Sequence, residues 1–210
     1  GPKMDGTPYY QFYDEKRGIG LDQNGLRVKT PFVSYGNWFK DYFKTGWTTT
    51  NSLSLSAKLN RNNSMRLSIS DTRSESITPN SPAMRQSIKL NSHNKVNNWL
   101  SINTSITYYR RDCDNLPQMG YGQASVMYSL WCMAPNINMD WARDYWIDPG
   151  VQQNANLTGA KNNPYFVAYE CLNTLDRDRI FGNTSLDLHL YKGLDLMLRG
   201  GIDFSRDHRT

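Results

Sequence analysis

Cysteine, helix-length apolar runs and clusters of like charge are all scarce in this 210-residue sequence, and each scarcity removes a class of protein. The 3 cysteines, Cys113, Cys132 and Cys171, follow no CxxC or zinc-ligand spacing, so neither a disulfide framework nor a thiolate metal site is predicted. With an odd number, one at least stays unpaired within the chain, and isolated thiols are the plainer reading. The net charge is +5 and the pI near 9.1, but the 24 Lys and Arg are dispersed, which argues against a nucleic-acid-binding face. The longest uncharged run, 115–139, is broken by Pro117, Gly120, Gly122 and Pro135, and cannot supply the roughly 20 mainly apolar residues of a membrane helix. The opening "GPKMDGTPYYQFYD" has no basic region followed by an apolar core, so no secretory leader is legible.

Catalytic patterns are missing as well. His93, His189 and His208 are scattered, and no GxSxG, HExxH or Walker pattern occurs, so neither an enzyme nor a cofactor is expected. Asp112 and Asp114 flank Cys113, too few oxygens for a calcium loop, and no metal site is predicted. Sequons at Asn103 and Asn156 carry no weight in a chain this rich in Asn, Ser and Thr.

What the sequence has is alternation. In "GWTTTNSLSLSAKL", residues 46–59, Trp47, Leu53, Leu55, Ala57 and Leu59 share one parity, while Thr48, Thr50, Ser52, Ser54, Ser56 and Lys58 share the other. Successive side chains of a strand point to opposite faces, so this segment reads as a strand between an apolar and a wet environment. Five more segments repeat it: "SMRLSISDTRS", "MRQSIKLNSH", "NWLSINTSITYYR", "IFGNTSLDLHLY" and "LDLMLRGGIDFS".

Charge placement separates two explanations of the alternation. Within the strands Arg66, Lys89, Asp187, His189, Asp195, Arg199 and Asp203 all fall on the polar parity, whereas Asp71 and Arg110 share the apolar parity only near strand ends. The aromatics Trp47, Tyr108 and Phe204 also lie toward ends of the apolar parity, as a membrane-interface girdle would. A charge on a lipid-facing position costs about 2–4 kcal/mol at the midplane and little near the interface, so this pattern predicts transmembrane strands rather than a soluble sandwich. Connection lengths alternate too. Short joins, "NRNN", "NKVNN" and "YKG", fall at one end, and "ITPNSPA" and a long stretch at the other, as the turns and extracellular loops of outer-membrane barrels do.

The predicted organisation is therefore all-β: 1–45 an extracellular loop, 46–111 four strands, 112–178 a long extracellular loop and 179–206 two strands. The long loops carry many of the 13 Tyr and 6 Trp. "MDWARDYW" reads as a short helical turn with Trp141 and Tyr145 on one face. Tyr121, Tyr128, Trp131, Trp141 and Trp146 are candidate substrate-binding residues, since sugar C–H faces stack on aromatic rings; packing of the loop against itself is the plainer role. The lumen-facing charges read either as substrate or plug contacts or as an ion-pair ladder lining a hydrated wall. Six up-and-down strands cannot close a large barrel, and an open sheet leaves edges unpaired in lipid, so an internal piece of a larger barrel is expected.

The ordered set "NWFKDYFKTGWTTTNSLSLS", "ITPNS", "DNLPQMGYGQASVMYSLWCMAPN", "NNPYFVAYE" and "RDRIFGNTSLDLHLYKGLDLMLRGGIDF", with the opening "GPKMDG", resembles the barrel region of SusC/RagA-type TonB-dependent outer-membrane transporters. The resemblance implies a 22-strand barrel closed by an N-terminal plug in the outer membrane of a Gram-negative bacterium. It also implies energy from TonB, a SusD-like surface lipoprotein as partner, and glycans or peptides as substrates. The plug, the TonB-contacting box and the first and last barrel strands have no counterpart in these 210 residues. Two other classes fit the residues alone: a soluble or surface-attached all-β carbohydrate-binding module, and a passive porin or adhesin barrel.

Overall fold

The computed structural model describes residues 6–155 and 161–210; Asn156 and most of the opening "GPKMDG" lie outside them. In chain order the elements are β1 (Pro8–Tyr9), β2 (Thr30–Pro31), α1 (Trp38–Tyr42), β3 (Trp47–Lys58), β4 (Asn63–Glu75), β5 (Pro82–Lys95) and β6 (Leu100–Cys113). Then come α2 (Val126–Cys132), α3 (Met139–Arg143), β7 (Trp146–Asp148), β8 (Gln152–Gln153), α4 (Pro164–Glu170), β9 (Leu175–Tyr191) and β10 (Leu194–His208). They make two units, one of residues 47–75, 82–114 and 174–210, the other of 1–46, 76–81 and 115–173.

The first unit is a six-stranded antiparallel sheet in the order β10-β9-β6-β5-β4-β3. Its register aligns the parities read from the sequence. One rung crosses all six strands as Leu53, Ile69, Ile88, Tyr108, Ile180 and Phe204, and the next on that face as Leu55, Leu67, Leu90, Ile106, Gly182 and Ile202. Two residues the other way the same face turns polar in every strand: Asn51, Asp71, Gln86, Arg110, Asp178 and Arg206. The sheet is open, with β3 and β10 as its edges. Gly193, at φ 78°, supplies the left-handed position that closes the β9–β10 hairpin.

β9 begins at Leu175, earlier than residue 179, and β10 runs on to His208. Residues 175–179, "LDRDR", carry too much charge to read as a strand. They are held by cross-strand pairs instead: Arg177 donates to both Asp207 carboxylate oxygens at 2.5 and 2.6 Å, and Arg179 engages Asp203 in the same two-pronged way.

The second unit gathers the two long connections and the β4–β5 join into one core, where the sequence suggests separate loops. Tyr42, Val126, Leu130, Met133, Ile137, Met139, Ala142, Tyr165 and Val167 are its buried apolar residues. Each of its four short helices is started by a side chain of the preceding residue accepting a backbone N–H: Asn37, Ser125, Asn138 and Asn163. Pro164 follows Asn163 at the first helical position, where its missing N–H costs nothing. Asp14 is fully buried, and its carboxylate accepts the backbone N–H groups of Lys16 and Arg17 and the Arg17 guanidinium.

Candidate functional site

The polar face of the sheet is the hollow one. A cavity of about 800 Å³ opens along it, reaching from Ser56 and Lys58 on β3 to Arg199 on β10, lined mainly by residues of the hydroxyl parity. Inside it Asn103 bridges two strands, donating through Nδ2 to Asp187 Oδ2 at 2.6 Å and accepting at Oδ1 from His93 Nδ1, also 2.6 Å. A carboxylate only accepts, so the amide nitrogen must face Asp187, and His93 carries its proton on Nδ1. On β3 and β4 the same face is a ladder of hydroxyl pairs, Thr50 with Thr72 at 3.1 Å, then Ser52 with Ser70 and Ser54 with Ser68 at 3.0 Å.

Arg66, Lys89, Asp187, His189, Asp195, Arg199 and Asp203 all lie on this face, as their parity requires. Four of them are held in separate contacts rather than in one centre. His189 Nδ1 meets Asp195 Oδ1 at 2.5 Å across the β9–β10 hairpin, Asp187 is held by Asn103, and Asp203 by Arg179. Arg177 and Arg179 are the partners that sequence reasoning passed over. Their signal was the alternation of "DRDR" against "DFSRD" in the facing strand.

Of the aromatics on the opposite face, Tyr108 and Phe204 share one rung, and Tyr108 donates its hydroxyl to Asp178 at 2.5 Å. Trp47 is on the same face of β3 but three rungs outward, past Asn51 and Thr49. The register thus puts Trp47 on a different rung from the other two. Asp112 and Asp114 line an open hollow with Glu75, and no group of three metal-ligating side chains occurs among the described residues.

In the second unit the five candidate aromatics divide. Tyr121 and Tyr128 meet edge to face at 5.7 Å, with the Lys161 ammonium 4.6 Å from the Tyr128 ring centre, and Trp131, one turn along α2, is 69 % exposed. Trp141 instead packs against Phe12 and Tyr35, and Trp146 against Tyr145 and Phe166. Trp141 and Tyr145 both lie on the core, but α3 ends at Arg143, so they serve different ring clusters.

A second hollow, about 450 Å³, is lined by Tyr42, Phe43, Tyr145, Tyr165, Tyr169 and Arg143, most of which sequence reasoning missed. Tyr145 and Tyr169 stack with planes 5° apart, Arg143 Nε donates to the Tyr165 hydroxyl at 3.2 Å, and Tyr145 donates to Glu170 at 2.8 Å. Burial raises the Tyr42 phenol far above its usual range, with the nearby Tyr165 and Tyr169 adding to it. Burial also raises Tyr165, against the opposing pull of Arg143. Tyr145 is pushed up to about 12, first by burial and then by its bond to Glu170. All three are neutral at physiological pH and offer rings and hydroxyls, the chemistry that takes a polyhydroxylated or aromatic ligand. The only legible hint was Tyr165 and Tyr169 at i and i+4 in "NPYFVAYE".

No protein-family model matches the chain, and no curated protein matches it either.

Proposed function

We propose that the six strands are an arc of the wall of a transmembrane β-barrel in the outer membrane of a Gram-negative bacterium. The barrel belongs to a TonB-dependent transporter of the SusC/RagA type that imports oligosaccharides or peptides with a SusD-like lipoprotein. The inside-out character of the sheet carries this reading. Its hollow side is lined by hydroxyl, amide and charged groups, while its other side presents Leu53, Leu198 and Ile202 at 58 %, 50 % and 66 % exposure. A curled sheet in water buries its apolar side, whereas a barrel in lipid turns that side outward. From Leu196 to Phe204 the apolar parity runs about 27 Å along the strand, which at a tilt of about 45° rises about 19 Å, about three-quarters of the height of a barrel's lipid-facing band. The edges of β3 and β10 take further strands on this reading, since hydrocarbon does not tolerate open ladders. The tyrosine-lined hollow, the exposed Tyr121 and Trp131 and the half-buried Tyr128 supply the stacking surfaces a sugar needs.

Spin labels test the reading in the protein reconstituted into lipid vesicles. Labels at Leu53, Leu67, Leu100, Leu188 and Leu198 are expected to collide with oxygen dissolved in the acyl chains. Labels at Ser54, Ser68 and Asn183 are expected to collide with a water-soluble nickel chelate. Aqueous surroundings at the leucine positions would reject the barrel.

A further inference from the structure

We propose that the polar face of the sheet carries an oxyanion site built on Arg85 and Arg111, beside the Asp207-paired Arg177. Arg85 stands directly opposite Arg111, and Arg111 directly opposite Arg177, so three guanidinium groups occupy one rung of three adjacent strands. Directly opposed side chains of an antiparallel pair have Cβ atoms about 4.5–5.5 Å apart, and like charges there repel. An ion-pair ladder would set carboxylates between them. Here both nearby carboxylates lie on β10 and are already taken, Asp207 by Arg177 and Asp203 by Arg179. Arg85, Arg111 and Lys89 meet no carboxylate among the described residues. The Arg111 Nε–H is moreover buried without a hydrogen-bond partner among them. A buried donor of this kind is costly unless something accepts from it.

The missing acceptor has definite chemistry. A guanidinium offers parallel N–H groups that match a carboxylate, sulfate or phosphate two at a time. The rung also continues onto β4 and β3 as Thr72 and Thr50, the start of the hydroxyl ladder. An anionic group on the arginines therefore lies beside a strip suited to neutral hydroxyls. The ligand that satisfies both is an acidic saccharide bearing a carboxylate or a sulfate ester. This assignment of the carrier rests on the importer reading; the anion site rests on the rung alone.

The test is calorimetric titration of the full-length protein in detergent micelles at low ionic strength, with inorganic sulfate, digalacturonate, a sulfated disaccharide and a neutral disaccharide as probes. The acidic disaccharides are expected to bind at least about tenfold more tightly than the neutral one, the scale of one charge-assisted contact. R85Q/R111Q is expected to abolish that preference, and R206Q, which removes a charge from the other face, to leave it intact. If the double glutamine variant does not fold, R85K/R111K keeps the charge, loses the paired N–H geometry, and is expected to weaken the preference. Acid preference persisting in R85Q/R111Q, undiminished in R85K/R111K, or absent from the unaltered protein, overturns the proposal. Sulfate binding without binding of either acidic disaccharide overturns the saccharide assignment. Since the spin-label result does not depend on anion binding, failure here leaves the barrel reading standing, and the reverse holds too.

Discussion

Gly182 on β9 lies directly opposite Ile106 on β6, and a Cβ built on the glycine would stand 2.6 Å from the Ser105 carbonyl oxygen and 3.1 Å from Ile106 Cα. Both are backbone atoms and cannot swing aside, so the strands would have to part. Gly182→Ala is expected to cost about 1–3 kcal/mol, the usual penalty of overpacking. Gly200→Ala on β10, where nothing lies within 4 Å of the new methyl, is expected to cost nothing measurable. Urea unfolding midpoints of the two variants in detergent check the contrast.

Ser105 and Ile106 are neighbours on β6 that point to opposite faces. Lysine at Ile106 would enter the apolar rung between Leu90 and Gly182, whereas lysine at Ser105 would join Asn91 and Asn183 in the polar hollow. In a bilayer Ile106→Lys is expected to cost about 2–4 kcal/mol and Ser105→Lys far less. Folding equilibria into lipid vesicles measure both. Equal penalties would contradict a lipid-facing surface.

Trp131 projects from α2 into solvent, while Trp141 is wedged between Phe12 and Tyr35. Replacing Tyr121, Tyr128 and Trp131 together by alanine is expected to lower oligosaccharide uptake without changing protease resistance of the aromatic unit. Trp141→Ala is expected to act through stability, losing about 1–3 kcal/mol, since the ring is only partly buried. Uptake assays paired with limited proteolysis distinguish the two outcomes. Unchanged uptake in the triple variant would remove these residues from the substrate path.

Tyr145 ties pH to the stability of the aromatic unit. Its folded pKa, about 12, lies above the value of 10.0 for a free phenol, so the folded state prefers the neutral form. That contribution is complete below pH 10 and is lost as pH rises through 12. An ultraviolet titration of phenolate absorbance is expected to show a component near pH 12 that Tyr145→Phe removes.

Strand positions and face chemistry were legible because alternation is a local signal. Every residue between Leu53 and Lys58 declares its side by parity alone. Where local pattern and pairing disagree, reading failed: "LDRDR" has the polarity of a loop, and its pairing with β6 on one edge and β10 on the other, where Asp203 and Asp207 take its arginines, makes it a strand. The aromatic unit was the least legible part. Tyr42 packs on Tyr165 at 5.0 Å, and no spacing in the chain announces a meeting of residues that far apart. Trp47 shares parity with Tyr108 and Phe204, and parity does not say which rung each occupies.

The sequence by itself determined that this protein has two-faced strands, which residues each face carries, and where the short turns fall, because those follow from the two-residue repeat of an extended backbone. Only the tertiary structure decided which side chains become neighbours across strands, the three arginines of one rung above all. Register is set by the sum of hydrogen bonds and contacts along whole strand pairs, a quantity no single strand contains.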